Sequence, residues 1–182
     1  DTTSKALLMI INAPSDVLSK LLINDLLFTK ASSVLLRSHP SEASIARVAE
    51  LLLAVLEKNA KPTNSCVSLF FQLLPFIDNS GVFELFINVT VATSPYKAFH
   101  VMLKNACFAD LFLLEFDNNC SSIKAGNLCR IIRHCAHNPV LAPAFQTQEC
   151  IDKLIPFTLA TENEKTPDDR YLRKMLWYAF SA

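Results

Sequence analysis

Leu73-Leu74-Pro75-Phe76 returns along this chain as Leu113-Leu114-Glu115-Phe116 and again as Leu154-Ile155-Pro156-Phe157, in steps of 40 residues (73 to 113) and 41 residues (113 to 154). A weaker copy, Leu35-Leu36-Arg37-Ser38, stands 38 residues before the first. Each copy closes an apolar stretch and is followed by turn residues: His39-Pro40, Asp78-Asn79-Ser80-Gly81, Asp117-Asn118-Asn119 and Thr161-Glu162-Asn163. A phrase that recurs at this interval marks a repeated supersecondary unit, too small to bury its apolar face without neighbours.

Working outward, the residues between copies carry helical patterns. Ile45, Val48, Ala49, Leu52, Leu53 and Leu56 fall on one face at helical period behind a capping Ser41. Glu42, Arg47, Glu50, Glu57 and Lys58 lie off that face. Pro62 opens a connection, and Val67 to Leu74 forms an almost wholly apolar helix that should be buried. Ser80 precedes a helix through Val91. Ser94-Pro95 reads as a cap and first helical residue. Asn105 opens a third helix of that unit, with Phe108, Leu111, Phe112 and Leu114. Ser121 or Ser122 starts a helix reaching about His137, Pro139 and Pro143 bracket a short one with Leu141 and Phe145, and Thr147 caps another with Ile151, Leu154 and Ile155. Pro156 should kink or end that helix, in the geometry of Pro75. At the amino end Leu7 to Ile11 make a short helix, Ser15 caps a second and Asn24 a third, in which Leu27, Val34 and Leu35 face inward. Thr166-Pro167-Asp168-Asp169 is a helix start, with acids at the positive end of the dipole. The Leu172, Met175, Leu176 and Ala179 face behind it asks for a following helix.

These patterns predict an all-α fold, a right-handed α-α superhelix of the armadillo/HEAT kind, in one domain spanning 1–182. Its units cover about 1–40, 41–79, 80–119, 120–161 and a partial 162–182, and the chain reads as a piece of a longer stack. Such superhelices present long surfaces to partners and seldom carry chemistry.

Composition narrows the function classes. Half the chain, 51%, is hydrophobic, enough for a sizeable core. Only two glycines occur, which disfavours β-hairpins and excludes a glycine-rich nucleotide loop. Seventeen basic residues balance seventeen acidic ones, so no global field draws nucleic acid or an acidic membrane. No apolar run is long enough to span a bilayer, and the longest, Cys66 to Ile77, is interrupted by Ser68, Gln72 and Pro75. Cys66, Cys107, Cys120, Cys129, Cys135 and Cys150 sit in apolar helical stretches or at their starts, as small hydrophobes of a reducing compartment, cytoplasmic or nuclear. The sequons at Asn88 and Asn119 occur at the rate chance gives.

The unit at 120–161 carries the most suggestive surface. Leu128, Ile131, Ile132 and Cys135 are its inner face, and Arg130, Arg133, His134 and His137 occupy i, i+3, i+4 and i+7 of a second one. Such a stripe can grip a carboxylate or phosphate on a partner peptide. The alternative is a solvated helix face, partly neutralised by acids such as Asp117. A zinc site from His134, His137, Cys129 and Cys135 is disfavoured, because Cys135 projects into the core and Cys129 lies off the stripe. No glycine-containing elbow accompanies any cysteine, so no thiol nucleophile, catalytic residue, cofactor or metal site is expected. Trp177, Tyr171 and Tyr178 read either as a partner anchor or as packing.

Asp16-Val17-Leu18-Ser19-Lys20-Leu21-Leu22, followed by Val34-Leu35-Leu36-Arg37-Ser38, resembles the opening of the SAPS domain. The helix from Ser44 to Leu56 occupies the place of that family's next helix. Phe76-Ile77-Asp78-Asn79-Ser80-Gly81-Val82-Phe83-Glu84-Leu85-Phe86 is similar to its segment joining one helix to the next through a glycine-containing turn. Asn127-Leu128-Cys129-Arg130-Ile131-Ile132-Arg133 resembles its T-L-C-D-I-I-R stretch. SAPS proteins are helical-repeat regulatory subunits of protein phosphatase six and its yeast relative. The resemblance implies a non-catalytic scaffold that binds a phosphatase catalytic subunit and directs it to substrates. The periodicity alone leaves open a generic armadillo-type adaptor that binds extended peptides in transport or trafficking.

Overall fold

A computed structural model describes residues 26–182 except 38, 59–61, 92–93, 118–119 and 161–165, together with Lys5, Met9, Ile10, Asn12 and Pro14. The described residues are helical and turn-linked, without a strand. The helices are α1 (Leu26–Leu35), α2 (Glu42–Lys58), α3 (Asn64–Leu73), α4 (Ser80–Thr90), α5 (Lys97–Asn105), α6 (Phe108–Leu113), α7 (Ser122–His137), α8 (Ala142–Phe145), α9 (Gln148–Ala160) and α10 (Pro167–Phe180). One-turn 3-10 segments, Leu74–Phe76 and Ser94–Tyr96, follow α3 and precede α5. The expected helices before Leu26, with their Ser15 and Asn24 caps, lie almost wholly outside the described residues; Lys5, Met9 and Ile10 are helical.

Local chemistry sets the starts. Ser41 Oγ accepts from the Ser44 amide at 3.2 Å. Asn79 caps α4 by accepting from the Gly81 and Val82 amides, Ser121 caps α7 by accepting from Lys124, and Thr147 accepts from Cys150. Thr166 and Asp169 form a reciprocal capping box with Pro167 at the first turn of α10.

Helices α2, α4, α7 and α10 pack in succession, each on the next. Their direction follows from the pairings. Along α4 and α7, Ile77 O receives Asn127 Nδ2 at 3.1 Å, Phe83 lies under Arg130, and Thr90 O receives Asn138 Nδ2 at 3.2 Å. Along α7 and α10, Ser122 Oγ donates to Asp169 at 2.8 Å, Tyr171 Oη donates to Asn127 Oδ1 at 2.9 Å, and Arg133 covers Tyr178. Partners ascend together, so these helices run parallel. Between α2 and α4, Asn79 Nδ2 donates to Glu42 O, 37 residues away. Of the remaining helices, α1 packs on α2 and α3, α3 on α2 and α5, α8 on α7, and α9 on α10.

The core between them is one continuous cluster. Phenylalanine rings run through it: Phe86 stacks on Phe70 at 4.0 Å, Phe70 meets Phe99 and Phe108, Phe108 meets Phe112 and Phe145, Phe112 meets Phe116, and Phe116 meets Phe157 at 5.4 Å. The last contact joins the closing residues of two successive copies of the repeated phrase. Its first residue is core in every copy, Leu35, Leu73, Leu113 and Leu154 alike. Its second residue is buried only at Leu74; Leu36, Leu114 and Ile155 are 77%, 65% and 45% exposed.

Several expectations are corrected. Asn105 closes α5 rather than opening α6, which begins after a turn where Cys107 adopts left-handed backbone (φ 55°). Leu111, Ile151 and Ile155 face solvent. A six-residue helix leaves no length over which periodicity can separate a buried from an exposed stripe. Pro156 does not end α9, which continues to Ala160, whereas Pro75 sits in a 3-10 turn, so the two prolines share no geometry. Leu172, Met175 and Leu176 are buried, and α10 packs extensively on α7 and also on α9, so this face is covered without a following helix.

Candidate functional site

Helix α7 is positioned by its own inner face. Leu128, Cys129, Ile131, Ile132 and Cys135 are buried. The buried Asn127 amide joins the Ile77 carbonyl on one side to Tyr171 on the other, so one side chain ties α7 to both neighbours of its layer. The glycines mark close approaches in this layer. A Cβ on Gly81 would stand 2.9 Å from Ala46 Cβ, and one on Gly126 would stand 2.5 Å from the Tyr171 ring. Neither glycine has positive φ; what each supplies is the absence of a side chain.

The four residues of the stripe have different fates. Arg130 is exposed, with its guanidinium 5.5 Å from the centroid of Phe83 on α4. Arg130 also hydrogen-bonds Tyr171 on α10, and Arg133 lies 4.6 Å over Tyr178 on the same helix. His134 is half-buried; burial pushes its ring below the ordinary histidine range, and Arg130, Arg133 and His137 push it further the same way. His137 Nδ1 lies 2.8 Å from the Arg133 carbonyl oxygen and can donate to it. The permanent charge contributed by the stripe is that of its two ring-supported guanidiniums. Lys174 adds to them, with Nζ 5.8 Å from the same Tyr178 ring. Sequence reasoning missed Lys174, because its proximity to Arg133 depends on how α7 and α10 pair. Beside it Trp177 is 75% exposed and Phe180 44% exposed. Tyr171 and Tyr178 are half-buried and engaged in packing.

Chemistry elsewhere is sparse. Cys66, Cys129, Cys135 and Cys150 are buried, and all six cysteines are free thiols. Burial pushes Cys120 and Cys150 up to about 11 and raises Cys129 and Cys135 further, the opposite of what a thiolate nucleophile needs. Among the described residues no cluster of three His, Cys, Asp or Glu is arranged to hold a metal ion. A groove of about 660 Å³ opens at the start of α2 and α4, lined by His39, Glu42, Phe76 and Asp78 among others. Among the described residues no helix is long and apolar enough to cross a membrane. The sequon residue Thr90 is buried in α4, its hydroxyl donating to Phe86 O at 2.6 Å, so Asn88 belongs to a packed helix end.

A second surface was not read from the sequence. Leu114 and Ile155 occupy the same place in successive copies of the phrase, and the Phe116–Phe157 contact brings those copies together. Leu111 and Leu114 are exposed in and just after α6, and Ile151, Ile155 and Leu159 are exposed at i, i+4 and i+8 of α9. The available signal was that the phrase carries two adjacent apolar residues, which a helix cannot both bury against one neighbour.

No family model, no curated protein and no solved structure matches this chain.

Proposed function

We propose that this chain is a helical-repeat scaffold, a right-handed α-α superhelix of armadillo/HEAT type that binds protein and carries no chemistry of its own. The observation that supports the reading is the succession of α2, α4, α7 and α10, each packed on the next and each beginning one of the expected units, with the first residue of the repeated phrase buried in every copy. Stacked modules of this kind contact their neighbours and leave long continuous faces for partners. The resemblance of residues 16–86 and 119–135 to the SAPS domain directs the reading further, to a regulatory subunit that binds a protein phosphatase catalytic subunit and steers it to substrates in the cytoplasm or nucleus. The test is capture of purified protein phosphatase six catalytic subunit on the immobilised chain. Co-elution in stoichiometric amount is expected; absence of capture by protein with intact helical circular dichroism overturns the phosphatase reading.

The exposed apolar side chains Leu111, Leu114, Ile151, Ile155 and Leu159 favour a second reading, an adaptor that holds an extended peptide. Leu114→Asp with Ile155→Asp then abolishes peptide capture while the phosphatase is still retained.

A further inference from the structure

Between α7 and α10 the charge is one-sided. No Asp or Glu occurs from Asn118 to Gln148 or from Arg170 to Ala182, although 17 acidic residues balance 17 basic ones over the whole chain. Arg133 and Lys174 converge on the Tyr178 ring, at 4.6 and 5.8 Å from its centroid, and Arg130 lies one helical turn before Arg133, over Phe83. Among the described residues Arg130, Arg133 and Lys174 are in no ion pair, unlike Arg47 with Glu50 and Lys124 with Glu115. The Tyr178 ring beneath Arg133 fixes that guanidinium's plane and leaves N–H edges for an oxyanion, whereas Arg130 already hydrogen-bonds Tyr171. Like charges held this close repel until a counter-charge arrives. A single carboxylate satisfies one guanidinium as a bidentate pair, whereas a phosphate dianion offers three acceptor oxygens to several cations at once. Trp177 stands at the edge of the same surface, 75% exposed, and tryptophan is a residue on which interface energy concentrates.

We propose that the face formed by Arg133, Lys174 and Trp177 docks a phosphorylated segment of a partner protein, with the phosphate held by the two cations that share the Tyr178 ring and a neighbouring apolar side chain laid on the indole. This rests on the protein-binding reading above and supplies the chemistry of one partner.

The experiment is fluorescence anisotropy of the whole chain with labelled degenerate peptides centred on phosphoserine, alongside serine- and glutamate-centred pools and free inorganic phosphate as competitor. The phosphoserine pool should bind about tenfold tighter than the serine pool, the worth of charge-assisted hydrogen bonds. Arg133→Gln with Lys174→Gln should remove that preference. Trp177→Ala should weaken binding of the phosphoserine pool several-fold, with circular dichroism and the urea midpoint unchanged in each variant. Equal binding of the phosphoserine and serine pools overturns the proposal. So does glutamate binding as tightly as phosphoserine, which means a carboxylate-rich occupant. Inorganic phosphate competing as well as the peptide, with Trp177→Ala silent, means a simple anion site and also overturns it. Displacement by single-stranded nucleic acid at equal concentration overturns it in favour of a different class of partner. Phosphopeptide binding that persists when phosphatase capture fails supports this proposal and overturns the phosphatase reading alone.

Discussion

At the His100 imidazole, burial and hydrogen bonding pull in opposite directions, and burial prevails. The ring is buried, Nε2 lies 2.6 Å from the Val89 carbonyl oxygen, and Asn138 Nδ2 lies 3.2 Å from Nδ1 and 3.4 Å from Nε2. Nε2–H donates to the carbonyl; a second ring proton would face an amide that itself donates. Burial accordingly holds the His100 pKa below the ordinary value of 6.5, outweighing the upward pull of the Val89 bond. The folded state then binds fewer protons than the unfolded one between that depressed pKa and 6.5. The stabilisation is complete above pH 6.5 and is lost as pH falls through the folded pKa. Unfolding free energies from urea titrations at pH 7.5 and 5.5 should drop at the lower pH by at most about 1.4 kcal/mol per pH unit for this ring, with a smaller share from the solvent-screened His134. His100→Gln, which can still donate to Val89, should flatten most of that dependence; an unchanged slope would locate it elsewhere. The glycines give a second residue-scale expectation. Alanine in a helix gains about 1 kcal/mol over glycine, but overpacking costs about 1–3 kcal/mol. At Gly81 the obstacles are Ala46 Cβ and Cα, which cannot swing away, and at Gly126 the obstacle is a ring tied to Asn127. Both Gly→Ala variants should therefore be less stable than the parent by thermal melt, Gly81→Ala the more so.

At the scale of the helix, the capping residues and the positions of the longer helices were legible, because Ser41, Ser121, Thr147 and Thr166-Pro167 each announce a start through local chemistry. The inner faces of α7 and α10 were legible too, since 14 and 16 residues give a period time to declare itself, whereas α2 also buries Leu51, Ala54 and Val55 outside the expected stripe. What failed was short or tertiary in origin. The turn before α6 needs a left-handed residue, and Cys107 fills it where sequence reasoning looks for glycine or asparagine. The spacing at i, i+3, i+4 and i+7 revealed a basic stripe but not the rings beneath it, since Phe83 and Tyr178 arrive from other helices. Pro156 is an opposite case: local rules say stop, yet α9 runs through it, held by the buried Leu154 and by Phe157 against Phe116. An interior proline costs a helix about 3 kcal/mol through a lost N–H bond and a clash, offset by about 1 kcal/mol of reduced unfolded-state entropy. Pro156→Ala should then raise stability by about 2 kcal/mol in urea titration. No gain would mean that the helix is already bent away from the clash.

For the whole molecule, the parallel layer and the phenylalanine chain make different demands on cooperativity. A stack of modules that touch only their neighbours lets an end module open by itself, while damage in the middle severs both flanks. α10 is held chiefly by α7 and also by α9. Phe108, in contrast, touches rings from α3, α4, α6 and α8. Phe108→Ala should cost about 3–5 kcal/mol and lower the hydrogen-exchange protection of every helix from α3 to α9 together. Met175→Ala, buried on α10, should cost about 2–5 kcal/mol but speed exchange mainly in α10 and in the part of α7 it covers, leaving α2 to α4 as protected as before. A compact bundle with one shared core responds differently, since either truncation then lowers all amides by the same free energy. The exchange profile of Met175→Ala therefore decides between the two architectures: protection lost evenly from α2 to α10 would remove the physical basis for treating this chain as a repeat scaffold, and with it the reason to look for partners along its faces.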